Sequence, residues 1–285
     1  MSACALCLNI RPLLNSHYFA RAFFKRQHEV VGGKLRPPYR FSRTMSFYDE
    51  KQPKAPLLCA ECEHLLKFRG EDWVINCSGM RSGHFKLRDL LLTTFPDKFT
   101  EIGFVYYASM LPNLRHEELT HFGAGLFWRG SVFDWKRFDP RLNQLEIPEA
   151  AREQLREYLL GHSEFPDCCG LLVQVSSRSH LWMFYPMTAR NVGVGEEAKM
   201  TTFKIYVFGL TFTLFVANNG EECPCKSTSI AEHPYPIYLT DSASVFYEAR
   251  VREMSLTARK VGAFGQALKT LQEQQKSDYC RTRHL

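Results

Sequence analysis

Residues 4–19, CALCLNIRPLLNSHYF, and residues 57–66, LLCAECEHLL, decide how this chain folds. Each stretch carries a C-x-x-C pair, and 51 residues lie between Cys7 and Cys59. A C-x-x-C turn presents two sulfurs to one cation with little strain, and two such turns complete the tetrahedron that a structural zinc prefers. Cys4, Cys7, Cys59 and Cys62 are therefore the expected metal ligands, and Zn²⁺ the expected ion. The polar stretches between the pairs, VVGGKLRPPYRFSRT (30–44) and DEKQPKAP (49–56), hold too few apolar side chains to fold alone. Fastening both ends to one metal would order them.

The rest of the composition sets the frame. A chain of 285 residues can bury a substantial core in one or two domains. With 45% hydrophobic and 23% charged residues it reads as globular, not disordered or fibrous. Its most apolar run, IYVFGLTFTLFVA (205–217), falls short of the ~20 residues of a membrane-spanning helix and suits a buried strand better. No basic-then-apolar leader opens the chain, so the cytoplasm is the expected compartment and no membrane partner is expected. Ten cysteines in a reducing compartment are metal ligands or buried thiols before they are disulfides. The formal charge of +6 is unevenly placed: residues 1–70 carry 12 Lys/Arg against 5 Asp/Glu, and the remainder 24 against 25. A basic, cysteine-rich start attracts polyanions through counterion release, which makes nucleic acid the natural partner.

The pattern divides into a metal module at 1–78 and a larger unit at 79–285. EHLLKFRGEDWVI (63–75) predicts a helix with Leu65, Leu66 and Phe68 on or near one face. Residues 80–165 read as helical, through FKLRDLLLTTF, FVYYASML, EELTHFGAGLFWRGSVF and IPEAAREQLREYLLG, the last with Pro148 at its start and Gly161 at its stop. Residues 168–240 are rich in β-branched and aromatic side chains broken by turns, which predicts a small, mostly antiparallel sheet. Two helical patterns follow within 241–277. The class is α+β with a zinc module in front.

The motif order CALC…SHYFARAFFKR…LLCAECEHLL resembles the HNH (ββα-metal) nuclease fold, a treble-clef relative in which two C-x-x-C pairs often hold a structural zinc beside the active site. It is more closely similar to a group of uncharacterised bacterial HNH-like proteins with the order CxxC, S-H-I-I-P, L-C-x-x-C-E and an aromatic F-x-x-S-x-x-W-R helix. FGAGLFWRG, with Trp128 and Arg129, stands in the place of that helix. The resemblance implies a treble-clef zinc module over 1–78 and a metal-dependent endonuclease acting on DNA or RNA, with a role in defence by analogy. In working HNH enzymes an Asp before the first His and a His or Asn after the last Cys hold a divalent ion, while the first His is the general base. Carried over by position, His17 is the base, Ser16 stands where the Asp would be, and Glu63 follows the last Cys. Serine is a poor ligand for Mg²⁺ or Mn²⁺, which leaves the Glu63 carboxylate to supply the missing anionic oxygen. His64, Glu61 and Glu71 are further candidates to complete the site. The second reading keeps the zinc as purely structural, in a non-catalytic nucleic-acid-binding or protein-interaction module whose partners meet residues 79–285.

For the nucleic acid itself, Lys25, Arg26, Arg36, Arg40 and Arg43 are the expected phosphate contacts. Tyr39, Phe41, Phe47 and Tyr48 either stack bases or anchor the loop on the helical region. The pairs in DCCG (167–170) and CPC (223–225) suit a shared tetrahedron less well and read as buried thiols. NVGVGEE (191–197) is a plain turn, and His116, His121 and His162 are read as surface or satisfied core residues.

Overall fold

The computed structural model describes residues 2–31, 34–36, 39–41, 46–48, 51–80, 82–101, 103–139, 143–177, 183–189, 200–218 and 220–240, with the backbone alone at 29–48 and 185–189. The helices expected at 241–277 and the turn expected at 191–197 lie outside these residues.

The chain opens with a short ribbon, β1 (Ser2–Ala3) against β2 (Ile10–Arg11), whose turn carries Cys4 and Cys7. Then come β3 (Leu14–His17), α1 (Arg21–Gln27), and two small hairpins, β4 (Glu29–Val31) with β5 (Lys34–Arg36) and β6 (Tyr39–Phe41) with β7 (Ser46–Tyr48). β8 (Lys54–Leu58) returns antiparallel to β3 and leads directly into α2 (Ala60–Leu66), which bears the second cysteine pair. The predicted helix at 63–75 forms, but Lys67–Glu71 winds as a π-helix before α3 (Asp72–Cys77) resumes α geometry. Phe68, the second residue of that turn, is 73% exposed and does not share the buried face of Leu66. Gly70 of the same turn faces inward, where a Cβ would sit 2.9 Å from the Glu118 carbonyl oxygen and the Phe122 nitrogen.

Those two atoms belong to the central helix. After α4 (Lys86–Leu92), β9 (Lys98–Thr100) and β10 (Gly103–Tyr107), α5 runs from His116 to Val132, and every residue from Leu119 to Ser131 is buried. A helix buried on all sides needs cover all round. The cysteine-bearing module covers one side: Tyr18, fully buried, donates its hydroxyl to the Leu126 carbonyl at 2.8 Å. The sheet covers another, with Leu171 and Phe212 side chains against Gly123. α6 (Trp135–Phe138) and α7 (Glu149–Leu160) complete the helical layer, and α7 stops at Gly161 in the left-handed conformation, as its sequence predicts.

The sheet contains β11 (Cys169–Ser176), β12 (Met183–Ala189), β13 (Met200–Val207), β14 (Leu210–Ala217) and β15 (Pro236–Thr240), in the order β12-β13-β14-β11-β15-β10-β9. Every pairing is antiparallel except β11 with β15. The chain is thus α+β with a mostly antiparallel sheet, as expected. Two stretches of 80–165 differ from the helical expectation: Lys98–Thr100 forms β9, and FVYYASML supplies strand β10 and a 3-10 turn. The aromatic and β-branched residues of FVYYASML fit a pleated surface, and pairing with β15 decides the matter. The run 205–217 is also two strands rather than one, folded back at Phe208 and Gly209, both with positive φ.

Candidate functional site

The first C-x-x-C turn is shaped by backbone bonds. The Cys4 amide donates to the Asn9 carbonyl at 2.9 Å and the Leu8 amide to the Cys4 carbonyl at 2.9 Å, with Leu8 at φ 61. The second pair is brought to it by a bulge: Leu14 pairs with Leu58 and Asn15 with Pro56, so Leu57 is left over. Its freed carbonyl accepts from the Ala5 amide at 3.0 Å, and the Cys59 amide donates to the Cys4 sulfur at 3.3 Å. Cys59 caps α2, and the next turn places Cys62 beside it.

The four sulfurs lie within 4.8 Å of one another, with Cys7 and Cys59 3.9 Å apart. A tetrahedral zinc at ~2.3 Å from each sulfur needs sulfurs about 3.8 Å apart, so the donor set suits that ion. Burial works against ionising Cys4, yet amides of Cys59, Cys7 and Leu6 outweigh it and bring the thiol down to about 7. Burial pushes the Cys62 thiol well above its ordinary value and raises Cys7 as well. The four can ionise together only around a cation. Cys4, Cys7, Cys59 and Cys62 can therefore hold a metal ion. No second group of three or more metal-ligating side chains converges among the described residues, and Cys168, Cys169 and Cys223 are buried thiols.

His17 ends β3 opposite Lys54 and is half-buried. Its ring lines an open cleft of about 680 Å³. Arg21, Lys51, Lys54 and Arg137 bring four cationic side chains to the same cleft, against one carboxylate, Asp134, among the described residues. Asp134 also accepts from the Arg137 amide at 3.3 Å, capping α6. Lys51 fastens the cysteine-tied loop to α6, donating to the Phe138 carbonyl at 3.1 Å with its ammonium 5.2 Å from the Phe138 ring. Burial and then the Lys54 ammonium hold the His17 imidazole below its ordinary pKa, with Glu63 pulling the other way. The ring is neutral at pH 7 and can accept a proton.

The other expected catalytic groups take different positions. Ser16 is buried, its hydroxyl accepting from the Leu58 amide at 3.2 Å and serving the bulge. Glu63 is not among the residues lining the His17 cleft; its carboxylate approaches the Arg129 guanidinium at 3.9 Å. Arg129, 3% exposed, makes its close bond to Glu71 at 2.6 Å. Burial disfavours the Arg129 charge most, but Glu71 and then Glu63 outweigh it and hold the guanidinium's pKa above its usual value. Glu61 pairs with Arg11, and His64 stacks near Phe68 on the surface. Arg129 thus draws the Glu63 and Glu71 carboxylates toward itself, and neither lines the His17 cleft.

Among the expected phosphate contacts, Lys25 is exposed on α1. Arg26 is occupied at the end of α3, donating to the Ile75 carbonyl at 2.5 Å, Ser78 Oγ at 3.0 Å and the Gly79 carbonyl at 3.3 Å. Arg43 and the side chains of Arg36 and Arg40 fall outside the described residues, as do the side chains of Tyr39, Phe41, Phe47 and Tyr48. The cleft residues Arg21, Lys51, Lys54, Asp134 and Arg137 carry no shared spacing in the sequence. Only the β3–β8 register and the packing of α6 bring them together.

No protein-family model, curated protein or solved structure was found to match the chain.

Proposed function

We propose that the chain binds nucleic acid at the His17 cleft, and that a zinc ion on the four cysteines, in a treble-clef module, holds the cleft in shape. One observation carries the reading: four cations surround a neutral imidazole in an open cleft with a single opposing carboxylate among the described residues. Arg and Lys side chains converging on an exposed groove supply the charge that a phosphodiester backbone attracts.

Phosphodiester cleavage, in the manner of a divergent HNH-like endonuclease, is the second reading. It is favoured by the His17 imidazole, which is neutral and open to the cleft as a general base must be. The oxygen ligands that Mg²⁺ or Mn²⁺ requires are less well provided, since Ser16 is committed to the bulge and Glu63 is turned toward Arg129. Binding therefore ranks ahead of cleavage.

Elemental analysis should find one zinc per chain. Fluorescence anisotropy with duplex DNA and with RNA should give binding that weakens steeply with salt, and Lys54→Gln with Arg137→Gln should reduce the slope by about 0.9 for each phosphate that is no longer neutralised. Salt-independent binding, or none, would sink the proposal. Plasmid and RNA incubated with Mg²⁺ or Mn²⁺ decide the second reading: nicking should vanish in His17→Ala, and nicking that survives comes from elsewhere.

A further inference from the structure

Of the nine large apolar side chains that stand exposed among the described residues, five fall between positions 92 and 110: Leu92, Phe95, Phe99, Phe104 and Met110. Three of them form one surface cluster. The Phe95 and Phe99 rings meet edge-on at 6.1 Å, and the Phe99 and Phe104 rings at 5.5 Å. They remain 83%, 66% and 43% exposed. At about 200 Å² for a whole aromatic side chain, the three rings offer solvent roughly 400 Å² of contiguous apolar surface. Patches of that size mark contacts with other molecules.

The sheet register shows why the cluster is open. Val175 of β11, Leu239 of β15, Phe104 of β10 and Phe99 of β9 are successive partners across four strands, and side chains so paired lie on one face. It is the face that α5 covers, because Leu171, four residues before Val175 on β11, meets Gly123 there. Along the row Val175 is 0% and Leu239 2% exposed, and the cover then ends before Phe104 and Phe99. A sheet face built for solvent is polar. This row stays apolar for two strands beyond its cover, so one layer is wanting there among the described residues.

Charge and area point to the same occupant. Residues 86–104 carry three cations, Lys86, Arg88 and Lys98, against three carboxylates, Asp89, Asp97 and Glu101. With no surplus of positive charge the region has no pull on phosphates or on an anionic membrane, and two copies of it do not repel each other. Set against its own copy, the cluster would bury roughly 800 Å² of ring surface, about half of a standard interface, with the mixed charges left to form the polar rim. We propose that this cluster is the contact between two copies of the chain, related by a twofold axis, with Phe95, Phe99 and Phe104 of one copy packed on the same rings of the other. The rings make the join rather than strand pairing, since β9 has only three residues and begins at Lys98, features that keep a sheet edge from adding a strand. None of these residues lines the His17 cleft, and the contact does not depend on what that cleft binds.

Sedimentation velocity on the full zinc-loaded chain should show a monomer–dimer equilibrium with a Kd of about 10 µM or tighter. The double substitution Phe95→Glu/Phe99→Glu, at exposed positions and so neutral to folding, sets like charges against each other across the axis and should weaken the dimer by about thirtyfold or more, with circular dichroism and zinc content unchanged. Phe68→Glu, at an exposed aromatic outside the cluster, should leave the dimer intact. A second measurement keeps the native surface: p-benzoyl-phenylalanine in place of Phe95 should, on irradiation, cross-link to residues 92–104 of the other copy. A chain that stays monomeric at about 100 µM, a dimer that survives Phe95→Glu/Phe99→Glu or is lost equally in Phe68→Glu, or a cross-link that maps elsewhere would each overturn the proposal. So would co-sedimentation with phosphatidylcholine and phosphatidylserine vesicles that requires Phe95 and Phe99, since the cluster would then face a membrane.

Discussion

Substituting Arg129 by Met tests the contact that locks the cysteine-bearing module to the central helix. Arg129 is 3% exposed and its partner Glu71 12%, and their atoms are 2.6 Å apart. Removing the guanidinium strands Glu71 in a dry interface, takes away the cation near Glu63, whose Oε1 is already buried without a partner, and frees the Tyr18 carbonyl held at 3.4 Å. Breaking a buried pair from one side costs about 3–5 kcal/mol. Glu63 is 25% exposed and rehydrates in part, so the lower half of that range is expected. Replacing Glu71 as well, by Met, removes the stranded charge, and the double variant should recover most of the loss. Urea denaturation followed by tryptophan fluorescence reads this directly, since Trp128 and Trp135 are both 1% exposed in the folded chain. The cycle Arg129→Met, Glu71→Met and both together, run at saturating zinc, should show a coupling of about 2–3 kcal/mol. Additivity to within about 0.5 kcal/mol would refute the reasoning and mean that the two charges are solvated independently.

Three further outcomes follow from the same packing. A Cβ at Gly123 would come within 2.8 Å of Phe212 and 2.9 Å of Leu171, while one at Gly125 meets nothing closer than 3.8 Å. Gly123→Ala should therefore lose about 1–3 kcal/mol from overpacking, and Gly125→Ala should gain up to about 1 kcal/mol from helix propensity, both measured by thermal melts. Burial, with Arg69 and Arg129 acting in the same sense, lowers His121 to about 4, against about 6.5 in an unfolded chain. The unfolded state takes up the extra proton, so this contribution is complete above pH ~6.5 and drains away as pH falls toward 4; His121→Phe should flatten the stability profile across that window, and an unchanged profile would count against a buried neutral ring. Arg26→Ala should cost about 1–3 kcal/mol by leaving the last carbonyls of α3 without their charged donor, yet change nucleic-acid affinity by less than about twofold. A large loss of affinity at unchanged stability would mean that Arg26 reaches the ligand.

Local chemistry made the cysteine centre legible. C-x-x-C spacing implies a turn whatever surrounds it, and the four sulfurs meet as that spacing predicts. The stop of α7 at Gly161 was equally readable. What could not be read depends on distant partners. FVYYASML has apolar spacing compatible with a helix, and only the vacant place beside β15 makes it a strand. The π-helical turn contains Gly70, which lies against the backbone of α5, a contact no local spacing announces. Likewise the positions of Ser16 and Glu63 are settled by the bulge at Leu57 and by the ion pair to Arg129, neither of which the motif order reveals. The cleft around His17 draws cations from Arg21 to Arg137, too far apart in the chain for any spacing rule.

The π-helical segment also bears on how the two ends of helix 60–77 can change. In uniform α geometry each residue advances the side-chain direction by about 100°, so fixing one position fixes all the others. Here the sulfur of Cys62 sets the phase of the first turns, while packing on α5 sets that of the last, and Lys67–Glu71 absorbs the mismatch between them. Deleting a single residue there would restore an unbroken helix whose two ends share one rigid phase, close to the present one because the wide turn differs from an α turn by a single extra residue. Substitutions on either side of that joint, by contrast, need no matching change on the other, so the metal end and the core end are free to drift in sequence separately.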